Sequence, residues 1–586
     1  MVARSLLSGY SAARIGSHQY DGSTSRSFDF PISALHSAVG ESMAHSASNR
    51  RRRHPRLASR QRILAPVLVV LVAALLVACG GGTRSQSDSA NGGDAGFAQG
   101  EIDRDGTIRY AGTAPPTSFD PMTSQSELDM PWLAPAYDRL TAVDEAGAPV
   151  PQLATSWQLS PDGKALTLQL RQGVSYSDAT PFDAASVKAN LDRYRTNEKS
   201  RLKNDILMIT DVDVVDASTV TIRVTGSGGA LLNVLASRVG MMVSPAAFAN
   251  PDLDQKPVGA GAMVLTGFRP KTEYVFTRRA DYWDSEAFRY KTLVFSVNDG
   301  SGVVNLLRTD ALDYARLAGP AALEAESAGI RLFRAHSISG ARILLNPTRS
   351  KLGSKEVRQA ISLAIDRDAT SRIAFNGDCV KTVQPFPEGY FAHSATVDAE
   401  REEWGYTRNV AKAKELLARA GLPEGFEMDM LVPGVPTTQT RAVLFQQNLA
   451  EIGIKVNLRV VDVVQARVLF GQGEGDSYAG DGASYTDPSV FAAQHYLKGG
   501  SSNPGNLTDP ELTALIDQAA GPLDINARTA LYDKVFARAF ELGPVHVYLC
   551  NHALPLGHQD DVVGLDRFDG AAGSDVLRGA AKVRTT

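Results

Sequence analysis

The chain has 586 residues, with 60 Lys and Arg against 64 Asp and Glu, for a formal charge of −4. That charge is unevenly spread: residues 1–78 hold ten Arg, no Lys and three acids, while the other 508 hold 50 bases against 61 acids, or −11. An acidic body argues against nucleic acid or anionic lipid as its target, and 508 residues exceed what one core supports, so two or three domains are expected.

Residues 1–49 are rich in Ser, Ala and Gly without periodicity, and Met43 is a candidate later start. A basic stretch, Arg50 to Arg62, precedes an apolar run from Ile63 to Ala78. As a helix that run reaches roughly 24 Å, short of the ~30 Å hydrocarbon core. Pro66 also disfavours the start of a helix interior. A buried helix and a retained anchor are the alternatives. The basic flank, short apolar core and small residues at its end form a secretory signal pattern. Leu76-Val77-Ala78-Cys79 resembles the lipobox of bacterial lipoproteins. That resemblance implies removal of residues 1–78 and lipidation of Cys79, with two or three acyl chains giving stable anchoring. Residues 79–100 then read as a Gly/Ser/Asp tether, spanning on the order of 25 Å if flexible.

Order is expected from Gly106, with a short strand to Gly112. Ala165–Arg171 alternates strictly and predicts a strand. Asp183–Arg195 predicts a helix with Asp183 as its N-cap. Asp211–Thr225 predicts two strands about an Asp-Ala-Ser turn, and another strand starts at Glu273. After Ala315 the texture becomes α/β. Ser354–Phe375 has helical apolar spacing with a cap at Ser354, and Asn409–Leu422 is an amphipathic helix ending at Gly421. Glu427–Asp462 predicts a βαβ unit. Two further helices and a late strand, Pro544–Asn551, complete the order. Cys379 and Cys550 are either two separate buried thiols or, outside the cell, a disulfide.

The stretch Tyr137–Val187, with "LATSW", "SPDG", "LRQGV" and "DAASV" in order, resembles the N-terminal signature of extracellular solute-binding proteins of family 5. "PVGAGAMVL" (257–265), "RADYW" (279–283), "EVRQAISLAIDRD" (356–368), "AKAKELLARAG" (411–421), "YTDPSVF" (485–491) and "DPELTALIDQA" (509–519) extend the match over Gly106 to Asn551. These are the peptide- and nickel-type binding lipoproteins of ABC importers. The resemblance implies an α/β, two-lobed periplasmic-binding-protein-like fold (type II, large cluster) with a subdomain inserted in the N-terminal lobe. By family position the N-terminal lobe takes 101–336 and 546–586, the insert about 141–256, and the C-terminal lobe 337–545. The crossings then fall near His336–Leu345 and Pro544–Val547.

In peptide-binding relatives an Asp four residues before the proline of this "DP" segment pairs with the ligand's α-amino group. Here Ser484 holds that position in "GASYTDP", while Tyr485 is kept. A hydroxyl cannot supply the charge-assisted bond of a carboxylate. Asp481 and Asp487 are the nearby substitutes, Asp487 more readily read as a helix or turn cap. Ser118, Phe119, Tyr137 and Ser339 complete the family-derived cleft set, Tyr137 as much for packing as for contact.

No G-x-S-x-G, H-E-x-x-H or P-loop motif is present, which argues against an enzyme. His546, His552 and His558 are spaced by six, but Pro555 and Gly557 interrupt them, so no metal or other cofactor is expected. The expectation is a monomeric, lipid-anchored binding protein on the outer face of a bacterial cell membrane. It would deliver a small peptide or peptide-like solute to an ABC permease. A non-peptide solute, or a sensor or scavenger without an importer, is the alternative.

Overall fold

The computed structural model describes residues 100–112, 114–125, 129–298, 300, 302–317, 319–481, 487–543, 545–565 and 576–584. The signal, Cys79 and all but the last residue of the tether lie outside these residues, as do Ser484 and Tyr485.

One 11-stranded sheet organises the chain. At one end Thr107–Gly112 lies parallel to both Thr292–Val297 and Tyr314–Arg316, and an antiparallel pair, Glu273–Arg278 and Met263–Arg269, extends the edge. At the other end Glu427–Pro433 lies parallel to Lys455–Val461 and to Ser477–Asp481. The helix Pro436–Ala450 joins the first two of these, so the βαβ unit forms as its hydrophobic pattern predicts.

Two long antiparallel strands, Arg331–Leu345 and His546–His558, join the ends. Their ladder breaks register between His336 and Gly340. On one side of the break, Arg331–His336 pairs with Ala553–His558; on the other, Gly340–Leu344 pairs with Asn551–His546. The return strand therefore enters two cores. Val547, Leu549 and Cys550 pack with Ala341, Ile343, Met430 and Phe445. Leu556 packs with Ile108, Trp132, Phe276 and Phe295.

The inserted subdomain has a core of its own. Ala154–Leu159, Ala165–Leu170, Thr219–Val224 and Ile209–Asp216 form a four-stranded antiparallel sheet. Leu166, Leu168, Val220 and Ile222 meet Val187, Leu191 and Tyr194 of the helix Ala184–Thr196. Asp183 caps that helix in a reciprocal box with Ser186, a device worth about 1 kcal/mol.

The predicted helix 354–375 is two helices, Lys355–Ala364 and Arg367–Phe375. Ile365 turns extended, and the Asp366 side chain accepts from the Ala369 N–H, so a second cap interrupts one apolar period. The late strand runs seven residues beyond Asn551, to His558. Cys379 and Cys550 are joined in a disulfide, Cα to Cα 5.3 Å, between Cys379–Lys381 and the return strand. Residues 101–103 also meet residues 582–584: Asp103 N–H donates to the Lys582 carbonyl and Arg584 N–H to that of Glu101, both at 2.8 Å.

Candidate functional site

In open α/β sheets ligands sit outside the carboxyl ends of the parallel strands. Here those ends are Gly112 and Arg316 at one end of the sheet, and Pro433, Val461 and Asp481 at the other. The long strands run between them, and their register break brings Ser337–Ser339 and His552 to the crossing. Gly340 is obligatory there: a Cβ would stand 2.5 Å from the Cys550 carbonyl oxygen.

Asp481 ends its strand with its side chain 45% exposed. It pairs with Arg441, which is 1% exposed, and its Oδ1 lies 3.8 Å from His552 Nε2. Burial alone would push the Asp481 carboxyl up; the Arg441 guanidinium outweighs it and holds the group below its usual value. Burial lowers the His552 imidazole, and Asp481 only partly opposes that. The Phe375 ring packs 5.2 Å from the His552 ring and 5.9 Å from the Arg441 guanidinium. Arg316 acts on the same imidazole from the other lobe.

A second polar group lies behind this one. Arg342, on the crossing strand, places Nη2 3.1 Å from His495 Nε2 and its guanidinium 5.5 Å from the Phe491 ring. The His495 and His546 rings meet edge to face at 4.6 Å. Burial pushes both imidazoles well below their ordinary value, and Arg342 adds to it, so both are neutral.

The other expected site residues have different surroundings. Asp487 is 0% exposed, caps the helix Pro488–Tyr496 through the Ser489 N–H, and accepts from Arg528 Nη2 at 2.8 and 2.7 Å. Its carboxylate is occupied within the fold, which corrects its reading as a spare ammonium acceptor. Phe119 is buried against Tyr274 and Phe276. Tyr137 is buried in the same core, pressed on Gly259. Ser118 is buried in a turn, its Oγ accepting from the Asp120 N–H and 2.8 Å from Thr123 Oγ1. All three side chains are buried in packing or turn contacts. Ser339 lies in the register break, its N–H donating to Ser337 Oγ.

Six residues of strand separate His546 from His552 and His552 from His558, roughly 20 Å each, so the three cannot share one ion. Among the described residues no group of His, Cys, Asp or Glu is arranged to hold a metal. A cavity of about 720 Å³ lies elsewhere, beside the hairpin Thr141–Val143/Pro149–Pro151, lined by Asp144, Glu145, Trp283, Asp284, Glu286 and Arg578.

Arg441, His552, Arg342 and Arg316 were not among the residues expected from sequence. One signal was legible. Thr438, Arg441, Phe445 and Leu449 share one buried helical face, so an arginine stood on an apolar stripe, where a charge needs a partner.

The family model of "Bacterial extracellular solute-binding proteins, family 5 Middle" matches residues 148–503. The glutathione-binding protein GsiB of Salmonella typhi is 31% identical over 382 residues, covering 63% of this chain and 72% of that protein. HbpA2 of Haemophilus parasuis superposes with a TM-score of 0.73 at 22% identity, over 81% of this chain and 100% of that one. The binding protein AgaA of A. tumefaciens R10, in complex with agropinic acid, gives 0.64 at 26% identity, over 82% and 99%. These relatives are binding proteins rather than enzymes, and the chain belongs to the bacterial extracellular solute-binding proteins of family 5.

Proposed function

We propose that the chain is the lipid-anchored, extracytoplasmic solute-binding component of an ABC importer. It captures a peptide or peptide-like solute between its lobes by hinge closure and presents it to a permease. The observation that carries this is the paired crossing: two strands shared by both cores, whose ladder breaks register between His336 and Gly340 and again between Ala341 and Arg342. Such a joint lets two rigid lobes turn about a short segment. A solute that touches both lobes favours the closed form by its differential affinity for it.

The lobes divide on the return strand between Asn551 and Ala553 in this reading, not at 545/546, because Val547 to Cys550 are buried in the C-terminal core. The insert keeps its expected extent of about 141–256, and Cys79 anchors the tether. No helix among the described residues is long and apolar enough to cross a membrane.

A peptide-like solute is supported by the likeness to a glutathione-binding protein. A non-peptide solute is the second reading, favoured by the closed-off carboxylate of Asp487 and by the agropinic acid bound in AgaA. Native mass spectrometry of the protein purified from its host tests both: a co-purified peptide-like mass supports the first, a non-peptide the second. Mass analysis of the N-terminus tests the anchor. A diacylated or triacylated Cys79 is expected; an unmodified Cys79 still joined to Ala78 overturns it.

A further inference from the structure

We infer that the inserted subdomain is the clasp of the closed form: its hairpin turn 144–148 and its turn 227–229 seat together on the C-terminal lobe and hold the lobes shut without touching the solute. The inference rests on the hinge-closure reading above and adds what sets the balance between open and closed.

The hairpin turn is built to one shape. Asp144 Oδ1 accepts from the N–H groups of Ala146 and Ala148, at 2.9 and 2.8 Å, and Gly147 takes a left-handed φ of +77°. Across the lobes the Phe391 N–H donates to the Ala146 carbonyl at 2.8 Å. A Cβ at Gly147 would collide with the Tyr390 ring, so turn and ring are in direct contact. Tyr390 and Phe391 belong to a buried core of the C-terminal lobe, with Phe491, Tyr532 and Phe536.

At the second contact Ser227 Oγ donates to the Gly521 carbonyl at 3.3 Å. A Cβ at Gly229 would stand 2.6 Å from that same oxygen and 2.8 Å from the Pro522 carbonyl oxygen, so no side chain fits between. Leu523 packs on the core of the insert. Each side is a single piece. On the insert, Gly228–Ala230 runs into the helix Leu231–Leu235, whose Asn233 Nδ2 donates to the Gly147 carbonyl at 3.0 Å. On the C-terminal lobe, the Arg528 guanidinium lies 5.2 Å from the Phe391 ring, and its Nε donates to the Ala519 carbonyl at 3.4 Å.

The insert travels with the N-terminal lobe. Arg193 Nη1 donates to Asp120 Oδ1 at 3.0 Å. Arg279 donates through Nη1 to the Ser175 carbonyl and through Nη2 to Ser175 Oγ, at 3.0 and 2.8 Å. Rotation at the crossing therefore parts the clasp from the C-terminal lobe. None of its contacts involves a residue at the carboxyl end of a parallel strand, where a solute sits. The clasp acts on population alone. It raises the closed fraction, and the apparent affinity rises with that fraction for every solute alike.

The test is hydrogen exchange, read by mass spectrometry on the full chain in detergent. The Phe391 amide donates across the lobes, so it exchanges when the clasp opens. Without solute, Gly229→Ala is expected to exchange it about tenfold faster than the parent, with Ala165–Leu170 of the insert core as protected as before. Leu523→Ser loosens the clasp from the other lobe and is expected to do the same. It decides alone if Gly229→Ala unprotects Ala165–Leu170. Calorimetry with glutathione as the probe is expected to show both variants binding about threefold more weakly. Unchanged Phe391 exchange in the deciding variant, or faster exchange with unchanged glutathione affinity, overturns the clasp and leaves closure to the solute alone. Glutathione that binds Leu523→Ser without slowing its Phe391 exchange overturns hinge closure, and the clasp with it. A parent that does not bind glutathione overturns the peptide-like reading, and Phe391 exchange then decides on the clasp by itself.

Discussion

Arg528 Nη2 reaches both carboxylate oxygens of Asp487, at 2.8 and 2.7 Å, and neither side chain is more than 1% exposed. The pair fastens the start of Pro488–Tyr496 to the helix Ile525–Glu541, with Tyr532 Oη 3.3 Å from the same nitrogen.

Removing one partner leaves the other charge buried alone, at a cost of about 3–5 kcal/mol. Asp487→Ala also loses the cap, adding about 1 kcal/mol. Urea unfolding is expected to show Asp487→Ala strongly destabilised and the double variant Asp487→Leu/Arg528→Met far closer to the parent. A loss below about 1 kcal/mol in the single variant rejects this account.

The disulfide closes a loop with a sequence separation of 171. Chain-entropy arguments put its stabilisation at about 5 kcal/mol for a loop of that length. Reduction, or Cys379→Ala with Cys550→Ala, is expected to lower the unfolding midpoint of the C-terminal lobe. Calorimetry with and without reductant reads it. An unchanged midpoint would show that the strand Cys379–Lys381 is held by its ladder alone.

Acid is expected to weaken the fold through His495 and His546. Both are neutral in the folded chain, with values well below 6.5, and protonate near 6.5 once unfolded. Below pH 6.5 the unfolded state binds more protons. The stability these rings contribute is therefore complete above 6.5 and declines as pH falls, by about 1.4 kcal/mol per unit for each ring. Thermal unfolding between pH 7.5 and 5.0 should be less pH-dependent in His495→Gln/His546→Gln. An equal slope in parent and variant excludes this origin.

Gly340→Ala tests the joint. The new methyl group would meet backbone rather than a flexible side chain, and such overpacking costs roughly 1–3 kcal/mol. A lower melting temperature is expected, together with a smaller ligand-induced change in radius of gyration by small-angle scattering. An unaltered change on ligand binding would place the pivot elsewhere.

Much of the fold was legible, because the periodicities were clean and the caps were ordinary. Asp183, Ser354 and Asn409 each cap the helix they were expected to start. The break at Ile365 was hidden by apolar spacing that continues across it. The crossing strands were placed approximately. Sequence could not show that Arg331–Leu345 and His546–His558 pair along their whole length, since that pairing joins segments about 200 residues apart. The site was less legible. Asp487 carries the same letters whether it faces a solute or Arg528, and the partner lies 41 residues on. Arg316, Arg441 and His552 come from three distant segments, and no local spacing links them.

The pairing of residues 101–103 with 582–584 has a mechanical side. A protein held to a surface by its N-terminal end takes every thermal or flow-driven tug at that end. Here residues 101–103 are bonded to residues 582–584, by two backbone hydrogen bonds, the bridge Ile102–Val583, and Arg584 Nη2 on Asp103 Oδ1 at 3.4 Å. A pull along the strand axis loads these bonds in shear, together, and passes to the far end of the polypeptide. The interior strand that begins at Thr107 is spared from being pulled directly.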